Sequence, residues 1–167
     1  IHPNAAGNPA DGDARIFGMQ LARYIAAFRE GSCEWKDLQK GICLVSEPGC
    51  GKTLFSLMLA RECQVPIVTT SVSDWFNVSG YLDQAIRSMR AAFERAAALA
   101  NPCSILFIDE CDAIPNRASL NGDSRNPESR NKDFWLPLVT DLLLRLDNAL
   151  SSTRQGVIVV MATNNPQ

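Results

Sequence analysis

One stretch of the sequence, CLVSEPGCGKTLFSLMLA at residues 43–60, constrains the fold more than any other. The apolar run at residues 42–45 has the composition of a buried strand. It breaks into a loop with two glycines at residues 46–53, after which apolar residues recur at helical spacing. Glycine permits tight turns that other residues avoid. This stretch therefore predicts a buried strand that leads through a tight loop into a helix.

The same alternation of apolar run and amphipathic helix continues along the chain. Strands are predicted at 42–45, 65–70, 104–108 and 156–163, and helices at 17–28, 52–63 and 81–100. A last helix is predicted from apolar residues between Val139 and Leu150, with its start or a kink at Pro137. Continuous apolar strands that alternate with helices predict an α/β fold with a parallel sheet covered on both faces. We expect residues 1–14 to be a flexible N-terminal segment, 15–167 to be one α/β core, and 116–132 to be a surface loop.

Composition excludes several classes of function. Apolar residues make up 46% of the chain and charged residues 20%, with a formal net charge of -2. This balance is ordinary for a soluble globular domain and argues against electrostatic binding of nucleic acid. No apolar run approaches the ~18 residues that span a bilayer, and the N-terminus lacks the features of a signal peptide, so we expect a cytoplasmic protein. The single histidine, His2, lies in the polar N-terminal segment and argues against a histidine-based metal site or triad.

Cysteine spacing points to reduced thiols. The six cysteines form no CxxC pair of the kind that binds zinc or carries out redox chemistry. Several lie in apolar runs, where a reduced cysteine behaves as a small hydrophobe. A disulfide framework is the less favoured alternative.

The glycine loop is suited to binding phosphate. Glycines bring backbone N–H groups close to phosphate oxygens, and the start of a helix adds unpaired N–H groups and a partial positive charge. Lys52 is expected to reach the β- and γ-phosphates of a nucleotide, and the Thr53 hydroxyl to ligate Mg²⁺. The motif G-x-x-x-x-G-K-[ST] is met except at its first position, where Ser46 replaces glycine. The alternative is a glycine turn that caps an unrelated helix. The predicted nucleotide-binding residues are Pro48, Gly49, Cys50, Gly51, Lys52, Thr53 and Leu54.

Two further strand ends carry polar side chains. The strand at 104–108 is followed by Asp109 and Glu110, and the strand at 156–163 by Asn164. Ligand groups collect at the carboxyl ends of parallel strands. We therefore expect Asp109 to support Mg²⁺ together with Thr53, and Glu110 to polarise a water for attack on the γ-phosphate. The amide of Asn164 can hold that water through both a donor and an acceptor. Taken alone, the segment after the last strand is also compatible with an ordinary turn.

These motifs, SEPGCGKT, ILFIDECDAI and VIVVMATNNP, resemble Walker A, Walker B and sensor 1 of the AAA+ ATPases, best the protein-remodelling AAA branch. The resemblance covers residues from about 40 to the C-terminus. It implies a three-layer P-loop NTPase fold with strand order 5-1-4-3-2, ATP and Mg²⁺ as cofactors, and ATP hydrolysis in a ring, usually a hexamer, that acts on a protein substrate. By motif match Lys52 and Thr53 bind phosphate and Mg²⁺, Asp109 supports Mg²⁺, Glu110 is the catalytic base and Asn164 is sensor 1.

The sequence departs from the family pattern in two places. The position at which the family carries an aromatic pore-loop residue is occupied by Val78 in this sequence. Trp75, Phe76 and Tyr81 lie nearby in the sequence. These aromatics either grip a polypeptide or pack in the core. The family's fifth strand, arginine finger and helical lid would follow Gln167, so we expect a truncated core that hydrolyses ATP weakly or not at all.

Two rival functions stay open at this stage. One is another P-loop enzyme such as a small-molecule kinase, which Glu110 and Asn164 disfavour because they suit water activation. The other is a nucleotide-gated loader or helper associated with DNA, whose expected basic face is not indicated by the net charge of -2.

Overall fold

The computed structural model describes residues 14–77, 80–115, 132–151 and 156–164. These residues form four strands and five α-helices. The strands are β1 (Gly41–Val45), β2 (Ile67–Ser71), β3 (Ser104–Asp109) and β4 (Val157–Thr163). The helices are α1 (Ala14–Arg29), α2 (Lys52–Cys63), α3 (Val72–Phe76), α4 (Leu82–Leu99) and α5 (Lys132–Ser151). Short 3-10 turns follow α1 and β3, at Trp35–Asp37 and Cys111–Ala113.

The sheet is parallel, and its strand order is β1-β4-β3-β2. This order is the 1-4-3-2 part of the arrangement that the family resemblance implied, and the α/β fold class is confirmed. β1 and β2 are edge strands of the described sheet, although they are the first two strands in the chain. Because the strands are parallel, each connection between consecutive strands crosses a face of the sheet, and each contains at least one helix.

Helices cover both faces of the sheet, and β3 is buried from both sides. Its alternate residues point to opposite faces, as the period of a strand requires. Ile105 and Phe107 pack with residues of α1 and α2 in one apolar cluster, whereas Leu106 and Ile108 pack with α3, α4 and α5 in the other. All four of these β3 side chains are at most 1% exposed. This two-sided burial explains why the strand has a continuous apolar sequence.

Two buried cysteines belong to the cluster on the α1 and α2 face. Cys63 and Cys103 are both free thiols and at most 3% exposed. Burial raises the pKa of each thiol to about 11, so both stay neutral at physiological pH. They act as small hydrophobes in this core.

The predicted elements differ from the structure at several boundaries, and the structure has one additional short helix. β2 begins at Ile67 rather than at residue 65, and α3 directly follows it. Sequence periodicity missed α3 because five residues make little more than one helical turn. Its start is set by Ser71, whose hydroxyl accepts the N–H of Asp74 at 3.1 Å, while the Asp74 carboxylate accepts the N–H of Ser71 at 2.9 Å. Pro137 lies inside α5, which begins five residues earlier at Lys132, so it does not mark the start of the helix.

The aromatic residues near α3 have different environments. Trp75 is 1% exposed, and its indole N–H donates to the Thr70 hydroxyl at 2.9 Å, so it belongs to the core. Phe76 packs against two rings of α5, with centroid distances of 5.4 Å to Trp135 and 6.1 Å to Phe134. Tyr81 is 72% exposed. The pore-loop position at Val78 lies outside the described residues, as do residues 1–13. Of the loop predicted at 116–132, residues 116–131 also lie outside them, and Lys132 is the first residue of α5 instead of a loop residue.

None of the helices in the part of the chain that the structure describes is both long and apolar enough to cross a bilayer.

An ion-pair network joins α4 to α5. The Asp141 carboxylate accepts hydrogen bonds from Arg90 at 2.8 and 3.1 Å and from Arg145 at 3.0 Å. The Asp141 side chain is only 13% exposed. The hydrogen bonds from Arg90, aided by those from Arg145, lower the pKa of Asp141 below its ordinary value. The two helices are therefore linked by a carboxylate that is ionised in the folded state.

We expect Asp141→Asn to lower the melting temperature at pH 7 by about 2–4 °C. A carboxyl whose pKa is lowered by folding stabilises the protein above its unfolded pKa of about 3.9, and that contribution is lost as the pH falls through the folded value. The difference between parent and variant should therefore disappear well below pH 4. Thermal unfolding followed by circular dichroism from pH 3 to 8 measures this. As a control, Asp83→Asn, at an exposed pair with Arg87, should change the melting temperature little. A constant difference across this pH range would contradict the prediction.

Candidate active site

Strand register brings the carboxyl ends of all four strands to one edge of the sheet. Val45 of β1 lies beside Thr163 of β4, and the N–H of Ser46 donates to the Thr163 carbonyl at 3.4 Å. Ser71 of β2 lies beside Asp109 of β3. The residues that follow each strand therefore meet along this edge, which is where open α/β sheets bind ligands.

The loop between β1 and α2 has the backbone shape that its glycines predict. Gly49 and Gly51 have φ values of 81° and 79°, in the left-handed region that favours glycine. Within the described residues, no atom outside the chain neighbours lies within 4 Å of the position that a Cβ would occupy at either glycine. The N–H of Phe55 makes the first helical hydrogen bond of α2, to the Gly51 carbonyl at 2.8 Å. The preceding N–H groups of the first turn therefore have no partner within the helix, and this turn is suited to an anion.

The Lys52 ammonium lies at the centre of the contacts around this loop. It donates to the carbonyls of Ser46 at 2.8 Å and Glu47 at 3.1 Å. It also lies 2.8 Å from Oδ1 of Asn164, which is 112 residues away in the sequence. A single side chain thus connects the loop after β1 with the residue that follows β4. It brings a positive charge to the part of the loop where phosphate binding was predicted.

Thr53 and Asp109 lie together at the start of α2 and the end of β3. The Thr53 hydroxyl donates to Oδ2 of Asp109 at 3.1 Å. A hydroxyl beside a carboxylate is a pair of hard oxygen ligands that suits Mg²⁺. Within the described residues, no three His, Cys, Asp or Glu side chains are grouped to hold a metal. This donor set fits Mg²⁺, which is commonly bound by one or two carboxylates together with substrate phosphates and water.

Glu110 takes an unusual backbone conformation directly after β3. Its φ is 57°, in the left-handed region that a non-glycine residue rarely adopts. The Glu110 N–H donates to Oδ1 of Asp109 at 2.8 Å. The Ser73 hydroxyl of α3 donates to Oε2 of Glu110. The Glu110 carboxylate is therefore held by Ser73, which follows β2, while its backbone N–H is held by the Asp109 carboxylate at the end of β3.

The predicted site residues separate into two groups. In the first group, side-chain hydrogen bonds join Lys52 to Asn164 and Thr53 to Asp109, and Glu110 adjoins Asp109. The other five lie on the exposed surface of the loop and the first turn of α2: Pro48, Gly49, Cys50, Gly51 and Leu54. The roles predicted for all these residues stay predictions.

Sequence reasoning missed two residues that contact the predicted site. Ser73 bonds to Glu110 and Asp112 bonds to the backbone of Asn164, with Oδ1 3.0 Å from the Asn164 nitrogen. Ser73 has no local signal, because its contact depends on β2 lying beside β3. Asp112 had one, since it is a third carboxylate within four residues of the strand end, in the sequence DECD.

The sequence of this chain is similar to that of one protein family and to those of several known proteins. The sequence profile of the ATPase family associated with various cellular activities (AAA) matches residues 42–167. The chain is 33% identical over 131 residues to the putative ribosome biogenesis ATPase nvl of Dictyostelium discoideum. It is 38% identical over 129 residues to the ATP-dependent zinc metalloprotease FtsH 1 of Symbiobacterium thermophilum. It is 36% identical over 127 residues to the ATP-dependent zinc metalloprotease YME1 homolog of Caenorhabditis elegans.

The similarity covers most of this chain and a small part of each relative. The aligned regions are 78%, 77% and 76% of the chain, but only 14%, 20% and 16% of the three proteins. The chain therefore corresponds to one segment of these longer relatives.

Proposed function

Because the chain belongs to the AAA family of ATPases, we propose that it binds ATP with Mg²⁺ at the carboxyl edge of its sheet and hydrolyses the bond between the β- and γ-phosphates, which releases ADP and phosphate. The observation that carries the proposal is the meeting of Lys52 with Asn164 and of Thr53 with Asp109, across 112 and 56 residues of sequence. Together the two pairs supply the residue types that hydrolysis requires. Lys52 is a cation for phosphate, Thr53 and Asp109 are oxygen ligands for Mg²⁺, and Asn164 is an amide for water.

Nucleotide binding is assigned to the loop between β1 and α2. The N–H groups of the first helical turn would hold phosphate oxygens, because Gly49 and Gly51 let the backbone approach them closely. The Lys52 ammonium would exchange part of its bonding to the loop carbonyls for the β- and γ-phosphates. Pro48, Cys50 and Leu54 would line the same surface.

Metal binding is assigned to Thr53 and Asp109. The hydroxyl and the carboxylate are 3.1 Å apart, so both can face one cation. When bound, Mg²⁺ neutralises charge that develops on the phosphate oxygens during transfer. The site would thus depend on the metal although the protein contributes few ligands.

Water activation is assigned to Glu110 and Asn164. The Glu110 carboxylate, oriented by Ser73, would accept a proton from the attacking water. Asn164 would hold the same water from the end of β4, since its carboxamide offers both a donor and an acceptor. Transfer to water rather than to a bound acceptor makes the reaction a hydrolysis.

The wider activity is proposed at the level of the family. Hydrolysis would drive remodelling or unfolding of a protein substrate by a ring of several copies, a hexamer by analogy with the family, in the cytoplasm. The relatives named as ATP-dependent metalloproteases and as a ribosome biogenesis ATPase support the coupling of ATP to work on macromolecules. Phe76 and Tyr81 are candidate substrate contacts in such a ring.

The test is the metal dependence of binding and turnover in the protein at its natural length. We expect ATP to bind in the presence of Mg²⁺, and phosphate to be released without any added acceptor. Excess EDTA should lower turnover by about 10²-fold or more, because it removes the metal that neutralises the phosphate charge. The Thr53 hydroxyl is neutral and the Asp109 carboxylate is negative, so neither can replace the metal. Release that requires an acceptor molecule would favour a kinase, and release that requires DNA would favour a DNA-associated helper. EDTA-resistant turnover would contradict the metal assignment.

A further inference from the structure

The turn that follows Glu110 carries a carboxylate that the proposed hydrolysis does not use. Asp112 lies in the 3-10 turn Cys111–Ala113, two residues after the proposed catalytic base. Its Oδ1 accepts the backbone N–H of Asn164 at 3.0 Å. The contact spans 52 residues of sequence and joins the end of β3 to the end of β4. It therefore links the segments that carry Glu110 and Asn164.

The turn itself is tightly constrained. The N–H of Ala113 donates to the Glu110 carbonyl at 3.0 Å, and the N–H of Ile114 to the Cys111 carbonyl at 3.2 Å. The Cys111 thiol donates to the Ile108 carbonyl at 3.4 Å. These bonds hold Asp112 at a fixed place relative to β3.

Asn164 connects Asp112 to Lys52, because its backbone bonds to Asp112 and its side chain bonds to Lys52. The hydrogen bond from the Asn164 N–H lowers the pKa of Asp112, so its carboxylate stays ionised and accepting at neutral pH. The side chain of the same asparagine accepts from the Lys52 ammonium at 2.8 Å. β4 ends at Thr163, so the peptide of Asn164 lies just beyond the strand. Its orientation decides where the carboxamide points.

We propose that Asp112 is a positioning residue that anchors the Asn164 peptide, so that the Asn164 carboxamide stays directed at Lys52 and at the water-binding side of the site. The inference rests on the proposed function, because it gives Asp112 a role through an asparagine that acts in hydrolysis. One turn would then set the positions of both the base and the amide relative to each other.

A double-mutant cycle tests this in the protein at its natural length. We expect Asp112→Ala to lower kcat by about 10- to 100-fold, the range seen when residues that orient functional ligands are removed, with KM for ATP changed by less than about 3-fold. If Asp112 acts through Asn164, adding Asp112→Ala to Asn164→Ala should cost less than about 2-fold more. Multiplying effects would overturn the inference and leave the proposed function standing. No effect of Asn164→Ala alone would overturn the inference together with the water-holding role assigned to Asn164.

Conservative and remote substitutions complete the design. Asp112→Asn keeps an acceptor oxygen and should stay within about 3-fold of the parent kcat, whereas an equal loss in Asp112→Asn and Asp112→Ala would overturn the inference. Asp83→Ala removes an exposed carboxylate on α4 and serves as the matched control. If Asp112→Ala does not fold, Asp112→Ser, whose shorter side chain falls short of the Asn164 N–H, replaces it in the cycle.

A second readout needs no nucleotide. Hydrogen–deuterium exchange of the Asn164 amide, resolved by mass spectrometry of overlapping peptides, reports directly on the Asp112 contact. We expect exchange to be roughly 10-fold faster or more in Asp112→Ala and unchanged in Asp83→Ala. Equal exchange in parent and Asp112→Ala would overturn the inference whatever the turnover.

Discussion

Replacing Glu110 with glutamine is expected to lower kcat for ATP hydrolysis by about 10²- to 10⁴-fold while ATP binding stays within about 3-fold of the parent. Glutamine has nearly the same shape and can still bond to Ser73, but it cannot accept a proton from water. The loss should therefore fall on the chemical step and not on the affinity for nucleotide. Single-turnover hydrolysis and equilibrium binding of ATP, measured on the same preparations, separate the two quantities.

The matched control for this substitution is Glu30→Gln. Glu30 is an exposed residue that directly follows α1 and is not among the residues of the candidate site. It makes the same chemical change without touching the site and should leave both quantities unchanged. If Glu110→Gln turned ATP over at the parent rate, another group would have to be the base. If it lost ATP binding instead, Glu110 would be a ligand-binding residue.

Replacing Lys52 with alanine is expected to weaken ATP binding by about 10²-fold or more. The ammonium is proposed to make charge-assisted hydrogen bonds to two phosphates, each worth roughly 1.5–3 kcal/mol. It also bonds to the Ser46 carbonyl and to Asn164, so its loss removes contacts that define the shape of the loop. Isothermal titration calorimetry with ATP and Mg²⁺ measures the change in Kd.

Lys36→Ala is the corresponding control, because Lys36 is an exposed lysine paired with Glu34 outside the loop. It should not alter Kd for ATP. A melting temperature measured without nucleotide checks that Lys52→Ala still folds. Unchanged affinity in a folded Lys52→Ala protein would contradict the assignment of the glycine loop as the phosphate site.

The two substitutions should differ in how the loss of turnover depends on ATP concentration, so measuring both separates binding from chemistry. The loss in Lys52→Ala should be recovered in part at high ATP concentration, since it acts on binding. The loss in Glu110→Gln should persist at saturation, since it acts on chemistry. Similar behaviour in both variants would indicate that the site had collapsed instead of losing one function.

Local sequence patterns determined most of the elements in the described chain. The predicted helix at 52–63 coincides with α2, and the predicted strands at 42–45 and 104–108 each fall one residue short of β1 and β3. These patterns are local because burial on both faces requires an unbroken apolar run, and a half-buried helix requires apolar residues every three or four positions. Strand order was different. It came from the family resemblance, because periodicity does not say which strands are neighbours.

The sequence by itself also named the residues of the candidate site, because lysine after a glycine loop and acids after a strand are chemical signals that need no partner. Only the tertiary structure decided which of them touch. Lys52 meets Asn164, and Asp112 anchors the Asn164 backbone, because β4 lies between β1 and β3 in the sheet. Ser73 reaches Glu110 because β2 lies beside β3. Such contacts depend on the register of strands far apart in the chain, and no local pattern encodes that register.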